Sequence, residues 1–511
     1  MLLTHIQLNG EKNMTYAKPL SKEDIFAQAK NGTLEARAII PNRKSAQGTM
    51  TPTLNPFDNS VIGHVEFCDA EVVNEAVAVA RDTFEKGTWS RMSPYDRKLV
   101  IQKWARLIDE HAEELAALEC KDVGKPLKEC IGFDLPDTSY TISWFAEAAD
   151  KVFGKVSPSP GNNLGMVVKE PMGVVGAVLP WNFPATIFAW KVAPALAAGN
   201  SIIVKPAEQT SLSTYRMVQL AHQAGIPEGA LLLVTGLGEA TGKPLGLHNE
   251  VDVVSFTGST EVGRYFLHYS ADSNLKEIVL ECGGKSPQVI FEDTYPMDEV
   301  VDQILDAAFY NMGENCSCGS RLLVQESIKD EVLKAIVAKL PEWKIGDPAD
   351  MSVFMGPMIE EGHFRKVLAH IEASKKEGAT LIYGGKAVDA GAGKCIEPTI
   401  FDNVTPEMSL FNDEVFGPVL AVTTFKTEEE AIELANATKY GLASSIYTSD
   451  IRRAHRVSQR IKAGTVSVNC FSEGDIGTPF GGYKMSGFGG RDKGFEALEQ
   501  YMATKTIWYE N

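Results

Sequence analysis

Reactive chemistry in this chain concentrates in a few short runs. The run GENCSCGSR, Gly313 to Arg321, sets Cys316 and Cys318 two residues apart in a chain with eight cysteines. Such spacing is open to three readings: a metal clip, a redox couple, or one nucleophile with an inert neighbour. In LECGGKSP, Glu281 closes an apolar run and two glycines turn the chain away. A carboxylate so placed can activate water against a thioester. In PWNFPA, Asn182 sits between aromatics, where a held amide can stabilise an oxyanion by about 3–4 kcal/mol. In VKPAEQT, Lys205 and Glu208 could donate to and accept from ribose hydroxyls, and a carboxylate there repels a 2′-phosphate. In FTGSTEVG, Gly258 and Gly263 bracket a strand-to-helix turn whose free N–H groups suit a phosphate. Arg264 and Tyr265 follow instead of the Lys-Ser of a triphosphatase loop, and GLGEATG misses the dinucleotide GxGxxG spacing.

The whole chain narrows these readings. The other six cysteines are scattered singly, and no second pair with zinc spacing accompanies Cys316 and Cys318. No metal is expected. Net charge is −18 with a pI near 5.1, and no basic stripe is present, so nucleic acid is not an expected partner. The first residues acquire charges before any apolar run long enough for a signal peptide, and Met14 could be the true start. The longest apolar passage, MGVVGAVLPWNFPATIFAW, is broken by Pro180, Asn182 and Pro184, which fits strand, loop and helix and not a membrane span. A cytoplasmic protein with reduced thiols is expected.

Positioning these residues requires α/β units. Residues 70 to 150 carry apolar positions at helical spacing. From Gly173 onward short β-branched runs (VVGAVL, SIIVK, LLLVT, VDVVSF, EIVLE) alternate with helical segments, as βαβ units with a parallel sheet require. A second set of strands and helices follows Glu281. Two α/β domains are expected, joined near that residue.

PWNFP, KPAEQT, FTGSTEVG, LECGGKSP, GENCSCGSR, EVFGPV and PFGGYKMSGFGG occur in the order and approximate spacing of the NAD(P)-dependent aldehyde dehydrogenase superfamily. The chain resembles that family from about Pro41 to its C-terminus. The resemblance implies an NAD-binding domain over 1–149 and 172–281, with a Rossmann-like fold. It further implies an α/β catalytic domain over 282–496 and a small β oligomerisation element over 150–171 and 497–511. Cys316 then matches the nucleophile, Asn182 the oxyanion donor and Glu281 the general base, with Cys318 a bystander. Lys205 and Glu208 match the adenosine-ribose ligands, and Ser259 a pyrophosphate contact beside Gly258 and Gly263. Glu414 and Phe416 match the holders of the nicotinamide riboside, and Trp181 falls on the cofactor side with them. NAD is implied ahead of NADP, with a homodimer or homotetramer as the assembly. Two departures stand out: Glu314 replaces a usual glutamine, which would put a carboxylate near the nucleophile, and Cys282 replaces a common leucine.

The C-terminal run VNCFSEGDIGTPFGGYKMSGFGG looks like the bacterial branch acting on γ-glutamyl-γ-aminobutyraldehyde, 4-guanidinobutyraldehyde and related ω-aminoaldehydes. That likeness implies NAD-dependent oxidation of such an aldehyde to the acid through a cysteine thiohemiacetal and thioester. Phe183, Trp190 and Phe471 would wall the substrate tunnel, and Glu473 or Asp475 would pair with a cationic end. A general aliphatic or betaine-type aldehyde dehydrogenase is the alternative. A thiol hydrolase or acyltransferase would need a histidine base, which none of these motifs contains. A non-catalytic relative would be expected to lose Cys316, Glu281 or Asn182.

Overall fold

The chain is described by a computed structural model that covers residues 18–510 apart from Tyr295 and Ala392. Met14 lies outside the described residues. A six-stranded sheet is ordered Gly487–Phe488, Glu277–Glu281, Val253–Thr257, Val174–Val178, Ser201–Lys205, Leu231–Leu233. All its pairings are parallel except that of the edge strand Gly487–Phe488. Its inner strands are unbroken buried runs because helices cover both faces. Side chains alternate between two apolar clusters: Val175, Ala177, Ile202 and Val204 enter one, while Val174, Val178, Ile203 and Val254 enter the other.

The helix Ala70–Lys86 starts at Asp69, whose side chain accepts from the Glu71 and Val72 N–H groups, and ends at Gly87 in a left-handed turn. The next helical stretch is interrupted at His111, giving Pro94–Glu110 and Ala112–Val123. The apolar passage around Pro180 divides as its prolines imply, into the strand Val174–Val178 and the helix Pro184–Ala198. Among the described residues no helix is long and apolar enough to cross a membrane.

A second, seven-stranded sheet is ordered Thr380–Tyr383, Thr399–Asp402, Val419–Phe425, Arg321–Gln325, Pro287–Ile290, Ala443–Tyr447, Thr465–Val468. It is parallel except at Thr380–Tyr383 and has its own apolar core. A third sheet joins Lys155–Ser157, Leu164–Pro171 and the C-terminal Met502–Tyr509, antiparallel throughout.

One segment packs across the expected boundary. The stretch 476–496 was expected in the catalytic domain, yet Ile476 and Phe480 enter the core of the first unit, and Gly487–Phe488 extends the first sheet. Ala497, Leu498 and Tyr501 follow them into that core. The reason is apolar burial: the chain recrosses to cover the exposed edge of Glu277–Glu281.

Candidate active site

The turn before Cys316 is the most constrained backbone near the site. After the helix Met297–Phe309, the residues Asn311, Met312 and Gly313 have φ of 48°, 55° and 70°. A Cβ on Gly313 would lie 2.4 Å from the Gly417 carbonyl oxygen, so glycine is required by conformation and by space. Left-handed backbone costs the other two about 1–2 kcal/mol each. Hydrogen bonds offset this cost: Asn311 Nδ2 donates to the carbonyls of Asn182 and Glu314, each at 3.1 Å. Asn182 Nδ2 donates to the Glu314 carbonyl at 3.0 Å, tying the turn to the Pro180–Phe183 loop.

The two cysteines part company here. Cys316 is partly exposed and lines a cavity of about 510 Å³. Cys318 is buried, its thiol donates to the Ala308 carbonyl at 3.4 Å, and burial pushes it up to about 12. Burial also raises the Cys316 thiol well above its ordinary value, helped by the carboxylates of Glu473, Glu414 and Glu281.

Glu314 corrects an expectation. Its carboxyl is held by the backbone of another segment, Oε1 accepting from the Ile359 N–H at 3.1 Å. Complete burial pushes its pKa well up, which favours the neutral acid, shaped like the glutamine it replaces. It places no charge on the nucleophile.

Glu281 ends the strand Glu277–Glu281, and neither carboxyl oxygen has a hydrogen-bond partner among the described residues. Burial first, then Asp492, raises its pKa well above the ordinary value, while Lys191 and Arg491 oppose the shift. A Cβ on Gly481 would lie 2.5 Å from Glu281 Oε1, so that glycine leaves the carboxyl its room. Behind it, Lys191 Nζ lies 3.0 Å from Asp492 Oδ2 and 3.0 Å from Ser255 Oγ, a buried ion pair. Sequence reasoning missed this pair, although a lysine inside the otherwise apolar helix PATIFAWKVAPALAA was a usable signal.

Trp181, Asn182, Phe183, Lys205, Glu208, Gly258, Ser259, Glu414 and Phe416 line the same cavity as Cys316. Lys205 Nζ donates to the Pro206 carbonyl at 2.8 Å and lies 3.4 Å from Glu208 Oε2, and burial lowers its pKa. Ser259 caps the helix Thr260–Ala271, so that helix opens its N-terminus at the cavity. Gly263 does not face the cavity: a Cβ there would sit 3.1 Å from Cys282 Sγ, so this glycine packs helix against strand. Glu414 accepts from the Gly284 N–H at 2.8 Å, and burial raises it to about 7. Phe416, at φ 57°, meets Trp181 edge-on at 5.3 Å. A donor–acceptor pair for ribose, a helix N-terminus and an aromatic corner in one cleft fit a dinucleotide.

Residues 43–507 match the aldehyde dehydrogenase family. An aminoacetaldehyde dehydrogenase of Pseudomonas aeruginosa is 48% identical over 493 residues, covering 96% of this chain and 99% of that one. The chain belongs to the aldehyde dehydrogenase family. Among solved structures, a γ-glutamyl-γ-aminobutyraldehyde dehydrogenase from Burkholderia cenocepacia superposes with TM-score 0.92 at 44% identity, covering 96% of this chain and 99% of that chain. The indole-3-acetaldehyde dehydrogenase AldA of P. syringae, solved with NAD+, gives 0.93 at 41%, covering 96% and 100%. The expected α/β aldehyde dehydrogenase fold is thus the fold observed.

Aromatic and acidic groups of this aldehyde dehydrogenase that the sequence put at the substrate are placed as follows. Phe183 stacks on Tyr310 at 6.0 Å. Trp190 is buried, with Nε1 donating to Asp137 Oδ2 at 3.2 Å and its ring 5.2 Å from that of Phe480. The Phe471 N–H donates to Gln303 Oε1 at 2.9 Å. Ser317 Oγ, next to Cys316, is hydrogen-bonded to the Glu473 carboxyl. Asp475 is exposed and caps its own turn through the Gly477 N–H at 3.1 Å. Trp190, Phe471, Glu473 and Asp475 lie outside the cavity that holds the cofactor-side residues. Lys493, not foreseen, donates to the carbonyls of Glu473 and Gly474 at 3.1 and 3.0 Å and pins this loop.

Proposed function

We propose that this enzyme uses NAD to oxidise an ω-amino-, guanidino- or γ-glutamylamino-aldehyde to the carboxylic acid. Cys316 is the nucleophile: its thiol gives up its proton to water in the cavity, and the resulting thiolate attacks the aldehyde carbon. Asn182 Nδ2 and a backbone N–H of the turn hold the oxyanion of the thiohemiacetal. Bound NAD supplies the hydride acceptor. Glu281, in its carboxylate form, takes the proton of the water that hydrolyses the thioester, and the burial that raises its pKa makes that carboxylate a stronger base. Lys205 and Glu208 hold the adenosine ribose, Ser259 and Gly258 lie at the pyrophosphate, and Glu414, Phe416 and Trp181 hold the nicotinamide riboside. Cofactor preference favours NAD because Glu208 repels a 2′-phosphate.

The observation that carries the substrate class is the Glu473 carboxyl held beside the nucleophile by Ser317. A cationic substrate end entering past Phe183 would meet it, with Asp475 further out. The names of the relatives, aminoacetaldehyde and γ-glutamyl-γ-aminobutyraldehyde dehydrogenase, point the same way. The test is the ratio of kcat/KM for 4-guanidinobutanal over propanal, followed as NADH at 340 nm. Glu473→Gln should cut that ratio by about ten-fold or more and Asp475→Asn by less. An unchanged ratio in Glu473→Gln would sink the pairing.

The proposed division is an NAD-binding domain, a catalytic domain and the third sheet as oligomerisation element. Val156 and Trp508 in that sheet are 70% and 50% exposed, and Phe153 just before it 81%, an apolar surface suited to a second copy. A cytoplasmic homodimer or homotetramer is the assembly this supports.

A further inference from the structure

Two side chains that the mechanism leaves unused meet behind the nucleophile. Glu314 is fully buried, gives Oε1 to the Ile359 N–H at 3.1 Å, and has no hydrogen-bond partner at Oε2 among the described residues. His363 Nε2 lies 3.5 Å from Glu314 Oε1 and 2.6 Å from the Phe416 carbonyl oxygen, to which it donates. The imidazole also packs edge-on against Trp181 and Phe416, at 5.5 and 6.0 Å between ring centres, and lines the cofactor cavity. One ring therefore touches the turn that carries Cys316, the Glu414–Gly417 turn and the tryptophan beside Asn182.

We propose that His363, backed by Glu314, is a positioning residue that braces the nucleophile turn 311–316 against the cofactor turn 414–417. The inference rests on the NAD reading above and deepens it. Phe416 has φ 57°, a backbone state that a bulky residue holds only when its surroundings enforce it. The bond from His363 to its carbonyl is such an enforcement. Donation requires the proton on Nε2, which leaves Nδ1 an acceptor. Burial pushes the imidazole down to about 4 and the Glu314 acid well up, so the brace is uncharged and sets no charge against the thiol. The two turns already touch at Gly313 and Gly417, so a shift of one is felt by the other.

The decisive variant is His363→Phe, which keeps a ring between Trp181 and Phe416 but removes the donor. Two readouts are taken on the purified full chain. One is NAD affinity from quenching of tryptophan fluorescence. The other is the rate of Cys316 alkylation by iodoacetamide with no NAD present, read by mass spectrometry. His363→Phe should weaken NAD by about five- to ten-fold and change the cofactor-free alkylation rate by about three-fold or more. His363→Gln, which can still donate, should recover most of both. Weakened NAD binding with an unchanged alkylation rate would make His363 a cofactor contact only, and the brace would be wrong. A changed alkylation rate with unchanged NAD affinity, or no change in either, would also overturn it. Failure of the wild-type chain to bind NAD would bring down the cofactor reading itself, a result plainly different from these. If His363→Phe does not fold, Glu314→Leu breaks the brace from its other end, and the same paired effect is required.

Discussion

Replacing Glu314 with glutamine should make the protein relatively more stable as pH rises. In the folded chain the Glu314 carboxyl is fully buried, gives one oxygen to the Ile359 N–H and stays protonated well above its ordinary value of 4.5. In the unfolded chain it ionises from that value upward. The unfolded state then holds fewer protons than the folded one, so this group lowers stability as pH climbs, by about 1.4 kcal/mol per unit while the folded acid remains neutral. Below pH 4.5 both states are protonated and the penalty vanishes. Glutamine keeps an acceptor for Ile359 and cannot ionise. Above pH 4.5 the advantage of Glu314→Gln over wild type should therefore grow with pH, at up to about 1.4 kcal/mol per unit for as long as the folded acid stays neutral. Urea midpoints of both proteins at matched pH values isolate the effect, because every other buried acid titrates in both. A difference that is flat with pH, or one that shrinks as pH rises, would mean that Glu314 is ionised in the fold, and the neutral brace would fall with it.

Two further expectations concern the nucleophile turn. Gly313→Ala adds left-handed strain and drives a Cβ against the Gly417 carbonyl, so it should cost about 2–5 kcal/mol in chemical denaturation; a loss under about 1 kcal/mol would show that the turn yields. Cys318→Ser should retain most NADH production because a hydroxyl can still donate to the Ala308 carbonyl, whereas Cys316→Ser should lose it by orders of magnitude; the reverse pattern would exchange the two assignments.

Chemistry in this chain was legible where it is carried by short runs. Asn182, Lys205 and Glu208 announce themselves by type and neighbours, whereas Cys316 was singled out from its pair, and Glu414 and Phe416 found at all, only through the family resemblance; one cavity gathers all six. Inner strands were legible because covered parallel strands read as apolar runs. What escaped depends on side-chain direction or on distant pairing. Glu314 was read as a charge beside the thiol, but one rotation about its side chain sends it to Ile359 and neutralises it. Gly263 was read as a phosphate turn and is a packing glycine, a distinction set by which face of the helix meets Cys282. Lys191 and Asp492 are far apart in the chain and meet only when the segment after 476 recrosses to the first unit.

That recrossing also orders how the protein is made. The first sheet lacks its edge, and its core lacks Ala497, Leu498 and Tyr501, until nearly the whole chain has been synthesised. At about 5–20 residues per second, the stretch from 282 to 501 takes roughly 10 to 45 s to emerge. Through that interval the strand Glu277–Glu281 waits with an open edge, and the second sheet, complete once Val468 has emerged, can close on its own core first. The half translated first is thus the half finished last, and a nascent chain stalled within its final few dozen codons would carry a closed catalytic sheet beside an uncovered one.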